Sequence, residues 1–149
     1  MVARSQAAED RIAMALSLQL SGGRHGASAR IEMRERPGGR VVLFALRGWL
    51  DRTAVTRLSR TLDDLGARGI EHLLLDFSQV RHLDYRMVPA LVGALARFEN
   101  RAGGFVVCGL SSYLRDLIRL AGCETRLRCW PSAEDLLPAG VGSQRECAS

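Results

Sequence analysis

The stretch HLLLDFSQVRHLDYRMVPALVGAL, residues 72–95, decides how the fold of this chain is read. Its opening HLLLDF, residues 72–77, is a strand-length apolar run without alternation, the pattern of a strand buried on both faces of a parallel sheet. Val88, Leu91, Leu95, Phe98 and Ala102 then recur at helical spacing, with Arg97, Glu99 and Arg101 set against them and Gly103-Gly104 as the stop. A strand that feeds a helix through a short turn is half of a β-α-β unit. The turn itself, Asp84-Tyr85-Arg86-Met87, is bulky and cationic where such turns usually carry small residues. Pro89 has no N–H and its ring clashes with the carbonyl four residues back unless it stands in the first turn of a helix. The helix is therefore expected to begin no earlier than about Arg86, leaving Asp84 and Tyr85 in the loop and Arg86 to Val88 as its exit.

The same alternation extends to both sides. IEMRE at 31–35 and VVLFALRG at 41–48 flank Pro37-Gly38-Gly39, a turn signal between extended runs, and predict an antiparallel hairpin. Val55, Leu58, Leu62 and Leu65 form an amphipathic stripe, with Asp51 or Thr53 as cap and Gly66 as stop. FVVCGL at 105–110 reads as a further buried strand. A helix capped by Ser111 or Ser112 follows, carrying Leu114, Leu117, Ile118 and Ala121 up to Gly122. A strand around TRLRCW and a short helix around SAEDLL complete the order ββαβαβαβα: an α/β fold whose mixed, mainly parallel sheet starts with an antiparallel hairpin. Residues 1–29 end in the Gly/Ser-rich SGGRHGASA and are read as a flexible N-terminal extension. Ile12, Leu16 and Leu20 allow a short helix within it, a partner-binding or dimerising arm that would give a homodimer. Residues 30–138 form one domain, and 139–149 a disordered C-terminal tail.

Composition narrows the chemistry. A chain of 149 residues with 47% hydrophobic content builds a single core. The longest apolar run, IAMALSLQL at 12–20, is too short to span a membrane, and Glu9 and Asp10 put acid where an export signal carries positive charge. Cys108, Cys123, Cys129 and Cys147 show neither a paired motif nor metal-ligand spacing and read as reduced thiols of a cytoplasmic protein. The net charge of +5 is spread along helix faces that also carry Asp and Glu, so no nucleic-acid partner is expected. All 21 basic residues are Arg. Without Lys there is no phosphate-binding loop that needs it, no Schiff base with pyridoxal phosphate, and no receiver-domain pocket of the two-component type.

GWLD at 48–51, LLLDFSQVRHLD at 73–84, GGFVVCGL at 103–110 and the ending SSYLRDLIRLAGCETRLRCWPSAEDLL together resemble the STAS domain, the fold of bacterial anti-sigma-factor antagonists and of transporter cytoplasmic tails. The resemblance covers roughly residues 30–138. It implies a non-enzymatic module that binds a protein partner, an anti-sigma factor or serine kinase. A second implied role is an accessory subunit beside the ATPase of a lipid-transport system. In the family, the turn after the central strand usually reads Asp-Ser-Ser-Gly or Asp-Thr-Ser-Gly, and its second hydroxyl is phosphorylated. By position, Asp84 matches the family's Asp, Tyr85 the first small residue, Arg86 the phospho-acceptor and Met87 the Gly. Phosphoserine carries about −1.5 to −2 charges, whereas Arg is fixed at +1, so the replacement inverts the charge and favours an acidic partner surface.

The resemblance thus places partner contacts on Trp49, Asp51, Asp84, Tyr85, Arg86 and Met87. Trp, Tyr and Arg are also the residue types that most often dominate protein interfaces. The competing assignment folds Trp49 onto the first helix and lets Tyr85 cover an apolar patch. Arg86 over either ring would form a cation–π pair of roughly 0.5–1 kcal/mol. Asp51, Asp76 and Asp84 could in principle form an acid/base or metal cluster, but Asp51 and Asp84 are more simply caps and Asp76 a strand residue with a backbone or Arg partner. His72 and His82 are too scattered for a zinc site. No cofactor and no metal are expected.

Overall fold

The computed structural model describes residues 11–37, 39–101 and 103–125. Five strands form one sheet in the order β1-β2-β3-β4-β5: β1 Arg11–Gln19, β2 Ser28–Arg36, β3 Gly39–Leu50, β4 His72–Leu83 and β5 Gly104–Cys108. The β1–β2 and β2–β3 pairs are antiparallel, and the β3–β4 and β4–β5 pairs parallel. Helix α1 (Arg52–Ala67) connects β3 to β4, and α2 (Val88–Arg101) connects β4 to β5. Because both crossovers step across the sheet in the same direction and share the right-handed sense, they lay both helices on the same face. Helix α3, Ser112–Leu120, follows β5.

The core lies between that face and the helices. Val42, Phe44, Leu46 and Leu50 of β3 and Leu73, Leu75 and Phe77 of β4 meet Val55, Leu58 and Leu62 of α1 and Leu91, Leu95 and Phe98 of α2, all buried. Outside the core, Arg97 of α2 grips Asp63 of α1 with Nε 3.1 Å and Nη2 3.3 Å from the two carboxylate oxygens. The last strand and helix expected from TRLRCW and SAEDLL lie outside the described residues, apart from the first residue of that strand, as does the expected tail.

The expectation of a flexible extension is corrected over residues 11–29; residues 1–10 lie outside the described residues. Residues 11–19 are a strand paired with β2, Leu16 opposite Ile31 and Leu18 opposite Ala29, with a register shift between Ile12 and Met14. Ile12, Met14, Leu16, Leu18 and Leu20 alternate with smaller or polar residues, the period of a strand, while the helical reading used only every second member of that set. Nor is SGGRHGASA a linker. Leu20 and Ala27 are fully buried. The N–H of Leu20 donates to the Ala27 carbonyl at 2.9 Å, and the Ala27 N–H donates to Ser21 Oγ at 3.0 Å, closing the loop against the sheet.

Two further differences concern β4 and α1. β4 runs on to Leu83, with register shifts opposite Ala45/Arg47 and Gly48/Trp49, so residues 78–83 continue a ladder that the apolar run alone ends at Phe77. Helix α1 passes Gly66 and ends at the cap Arg68, where Gly69 takes the positive φ of +80°.

Candidate partner-binding surface

The two loops expected to carry the site lie side by side. Parallel pairing sets Trp49 beside His82 and Leu50 beside Leu83, and the Asp84 N–H donates to the Leu50 carbonyl at 3.0 Å. Residues 48–51 and 84–88 thus leave the sheet side by side at the carboxyl ends of two adjacent parallel strands, where open α/β sheets present their ligand-binding crevices.

Asp51 caps α1: its Oδ1 accepts from the Ala54 N–H at 2.9 Å. Asp84 caps a single 3-10 turn, Tyr85–Met87, that precedes α2. Asp84 itself is extended, with φ −65° and ψ 112°, and the Val88 N–H reaches the Tyr85 carbonyl three residues back. This is how Pro89 is accommodated. The carbonyl that its ring would crowd is bonded by Val88 in the tighter i→i+3 pattern, so regular α-helix starts only at Val88.

Arg86 is 70% exposed in its side chain, yet its guanidinium is engaged: Nε lies 3.1 Å from Asp84 Oδ1 and Nη2 3.2 Å from Asp84 Oδ2. The guanidinium is thus held by a carboxylate. The expected charge inversion is also muted, because the carboxylate two residues away offsets the added positive charge. Hydrogen bonding from the Arg86 side chain, outweighing the opposing effect of desolvation, holds the Asp84 carboxyl below the usual aspartate range. Met87 packs partly buried against the core, while Tyr85 stays 45% exposed.

Trp49, 38% exposed, stacks on His25 with ring centroids 4.1 Å apart and planes at 17°. Its other neighbour is His82, tilted at 4.8 Å. His82 in turn meets Tyr113 of α3, with Nδ1 2.7 Å from the phenol oxygen. The sequence assigned no role to His25 or Tyr113 and set His82 aside, with His72, as too scattered for a zinc site. The row is built by tertiary pairing: the Trp49 N–H donates to the His25 carbonyl at 3.3 Å, and Gly48, with φ +94°, lets β3 pass against the backbone of Gly26 and Ala27.

Asp76 accepts from the backbone N–H of Ser78, two residues on, at 2.9 Å. Asp51, Asp76 and Asp84 are each engaged locally, and among the described residues no group of three or more His, Cys, Asp or Glu is placed to hold a metal ion. No helix among them is long and apolar enough to cross a membrane.

A five-stranded mixed sheet with two crossover helices on one face and a capped turn after β4 defines a particular class of α/β domain. The chain belongs to the STAS-domain family: the family model described as Mlab, STAS domain matches residues 33–136. Its fold is similar to that of the anti-sigma factor antagonist SpoIIAA in its unphosphorylated form, 19% identical, with a TM-score of 0.54 over 75% of this chain and 96% of that one. It is also similar to an anti-sigma factor antagonist from Mycobacterium paratuberculosis, 20% identical, with a TM-score of 0.52 over 80% of this chain and 98% of that one.

Proposed function

We propose that this chain is a non-enzymatic interaction module, a regulator resembling anti-sigma-factor antagonists that acts in the cytoplasm by binding a protein partner such as an anti-sigma kinase. Binding runs through Trp49, Asp51, Tyr85, Arg86 and Met87, with Asp84 fixing the turn. Matching by position to the family's turn puts Arg86 where relatives carry a phosphorylated hydroxyl, so this copy recognises its partner without being switched there. The observation that supports the reading is the joining of the two loops by the Asp84 to Leu50 hydrogen bond, which brings their backbones side by side.

The test is a titration of the protein against candidate serine kinases of the GHKL type with labelled ATP. The expected result is a complex that forms with the wild-type chain, incorporates no phosphate, and weakens about tenfold or more on Tyr85→Ala or Trp49→Ala. Arg86→Ser restores a hydroxyl for phosphate transfer. Phosphate on Ser78 or Tyr85 of the wild-type chain overturns the unswitched reading.

A second reading, which the resemblance to the STAS family also implies, is the accessory subunit of a lipid-transport ATPase. Co-purification with a transport ATPase, and no affinity for any sigma-regulating kinase, decides for it.

A further inference from the structure

β1 is the outermost strand of the sheet, and among the described residues no strand pairs with its outer edge. The N–H of Leu20 donates to the Ala27 carbonyl at 2.9 Å, which fixes the phase of the antiparallel ladder that leads up to it. Met14, Leu16 and Leu18 accordingly turn their N–H and C=O groups toward Met33, Ile31 and Ala29 of β2. Those of Ala15, Ser17 and Gln19 point out of the sheet. The Gln19 carbonyl accepts from Arg57 Nη1 of α1 at 3.4 Å. Ala15 and Ser17 present the remaining donors and acceptors along an open edge, and an open edge is a template for another strand.

Edge strands are ordinarily guarded by proline, by charged side chains or by bulges. From Ile12 to Gln19, β1 carries neither charge nor proline, and its register shift lies between Ile12 and Met14, so Met14 to Gln19 runs regularly. Met14 and Leu16 are 45% and 41% exposed, although their pairing puts them on the same face as the buried Ile31 and Phe44. α1 meets β1 at Gln19, and the apolar stripe runs on past it. The occupant that this edge fits is its own copy. Residues 14–18, MALSL, run large, small, large, small, large from either end, with Leu16 at the centre. A two-fold axis at Leu16 sets Met14 against Leu18 of the second copy, Ala15 against Ser17, and Leu16 against Leu16, and opposes no like charges in this run. It also pairs the outward N–H and C=O groups of Ala15 with those of Ser17 in both directions, so each finds a partner. The helices do not obstruct this. α1 packs on β3, and five strand spacings, about 24 Å, separate β3 of one copy from β3 of the other. That is about twice the diameter of a helix.

We infer that the outer edge of β1 is a homodimer surface, on which β1 pairs antiparallel with β1 of a second copy about a two-fold at Leu16. The sheet then continues from one copy into the other. This surface uses no residue of the 48–51 and 84–88 loops, so it holds whichever partner those loops bind. A single strand edge buries less than the roughly 800 Å² per partner of a standard interface, so the dimer is weak and reversible, with a Kd of roughly 10–100 μM.

The test is sedimentation equilibrium of the full chain up to about 1 mM, well above the expected Kd. The wild-type chain is expected to show a reversible monomer–dimer equilibrium. Leu16→Lys and Leu16→Glu each oppose like charges across the two-fold and are expected to weaken the dimer about tenfold or more, while an equimolar mixture of the two restores it. Ser17→Pro removes an outward N–H without touching the β2 ladder and is expected to abolish dimerisation. Leu120→Lys, at an apolar position of α3 that is 67% exposed, leaves the dimer unchanged. A wild-type chain that stays monomeric throughout overturns the inference and assigns the edge to another strand, from a different protein or from this chain. A dimer that survives Leu16→Lys, an equal loss with Leu120→Lys, or a mixture of the two Leu16 variants that stays monomeric overturns it as well. Should Ser17→Pro not fold, the substitutions at the exposed Leu16 still decide it.

Discussion

Arg86 closes a bidentate pair on Asp84 two residues upstream, and the Arg86 backbone N–H also donates to Oδ1 of the same carboxylate at 3.0 Å. One carboxylate thus caps the turn and holds the cation. The Asp84 pKa is depressed by this contact. A depressed carboxylate contributes stability above its unfolded pKa and loses it as pH falls through the lower folded value. The carboxyl carbon of Asp84, followed by NMR, is expected to titrate below the ordinary aspartate range and to move up toward it in Arg86→Ala. An unchanged midpoint would show that the guanidinium is not held there in solution.

Gly48 decides whether the ring row exists. A Cβ at this position would run into the Gly26 carbonyl oxygen and lie 2.9 Å from Ala27 Cα, both backbone atoms, and the φ of +94° is strained for any side chain. Gly48→Ala is expected to cost about 1–3 kcal/mol in denaturant unfolding and to shift the ring-proton resonances of His25 and Trp49. A variant as stable as the parent with unmoved resonances contradicts the close approach.

Asp51 is placed among the partner contacts, but it also caps α1. Asp51→Ala is expected to lose about 1 kcal/mol of stability, while Asp51→Asn keeps the cap and most of that stability. If both variants bind a partner as the parent does and differ only in their melting curves, Asp51 acts through the helix alone.

Leu20 tests whether the N-terminal strand belongs to the domain. Its side chain is fully buried. Leu20→Ala is therefore expected to destabilise by about 2–5 kcal/mol, measured by urea unfolding. A change below the error of the measurement would return residues 11–27 to the status of an appendage.

Local chemistry accounts for what was readable in the sequence. The continuous apolar run at Leu73–Leu75, the stripes through Leu58 and Leu91, a serine cap at Ser111 or Ser112, which the structure places on Ser111, and the delay that Pro89 imposes on α2 are all properties of a residue and its near neighbours. The strand at Arg11–Gln19 was legible too, since Ile12, Met14, Leu16, Leu18 and Leu20 alternate strictly. Its i, i+4 subset mimics a helix, and the Gly-rich stretch after it resembles a linker.

The sequence by itself determined the alternation of strands and helices, the single core and the Asp-Tyr-Arg-Met turn, because periodicity, capping and the missing proline N–H act within a few residues. Only the tertiary structure decided that His25, Trp49, His82 and Tyr113 meet. Those contacts depend on strand register and on a close backbone approach at Gly48, which bring together residues up to 88 positions apart. No local pattern encodes that meeting, since its stabilisation comes from burial and pairing that exist only once the sheet has closed.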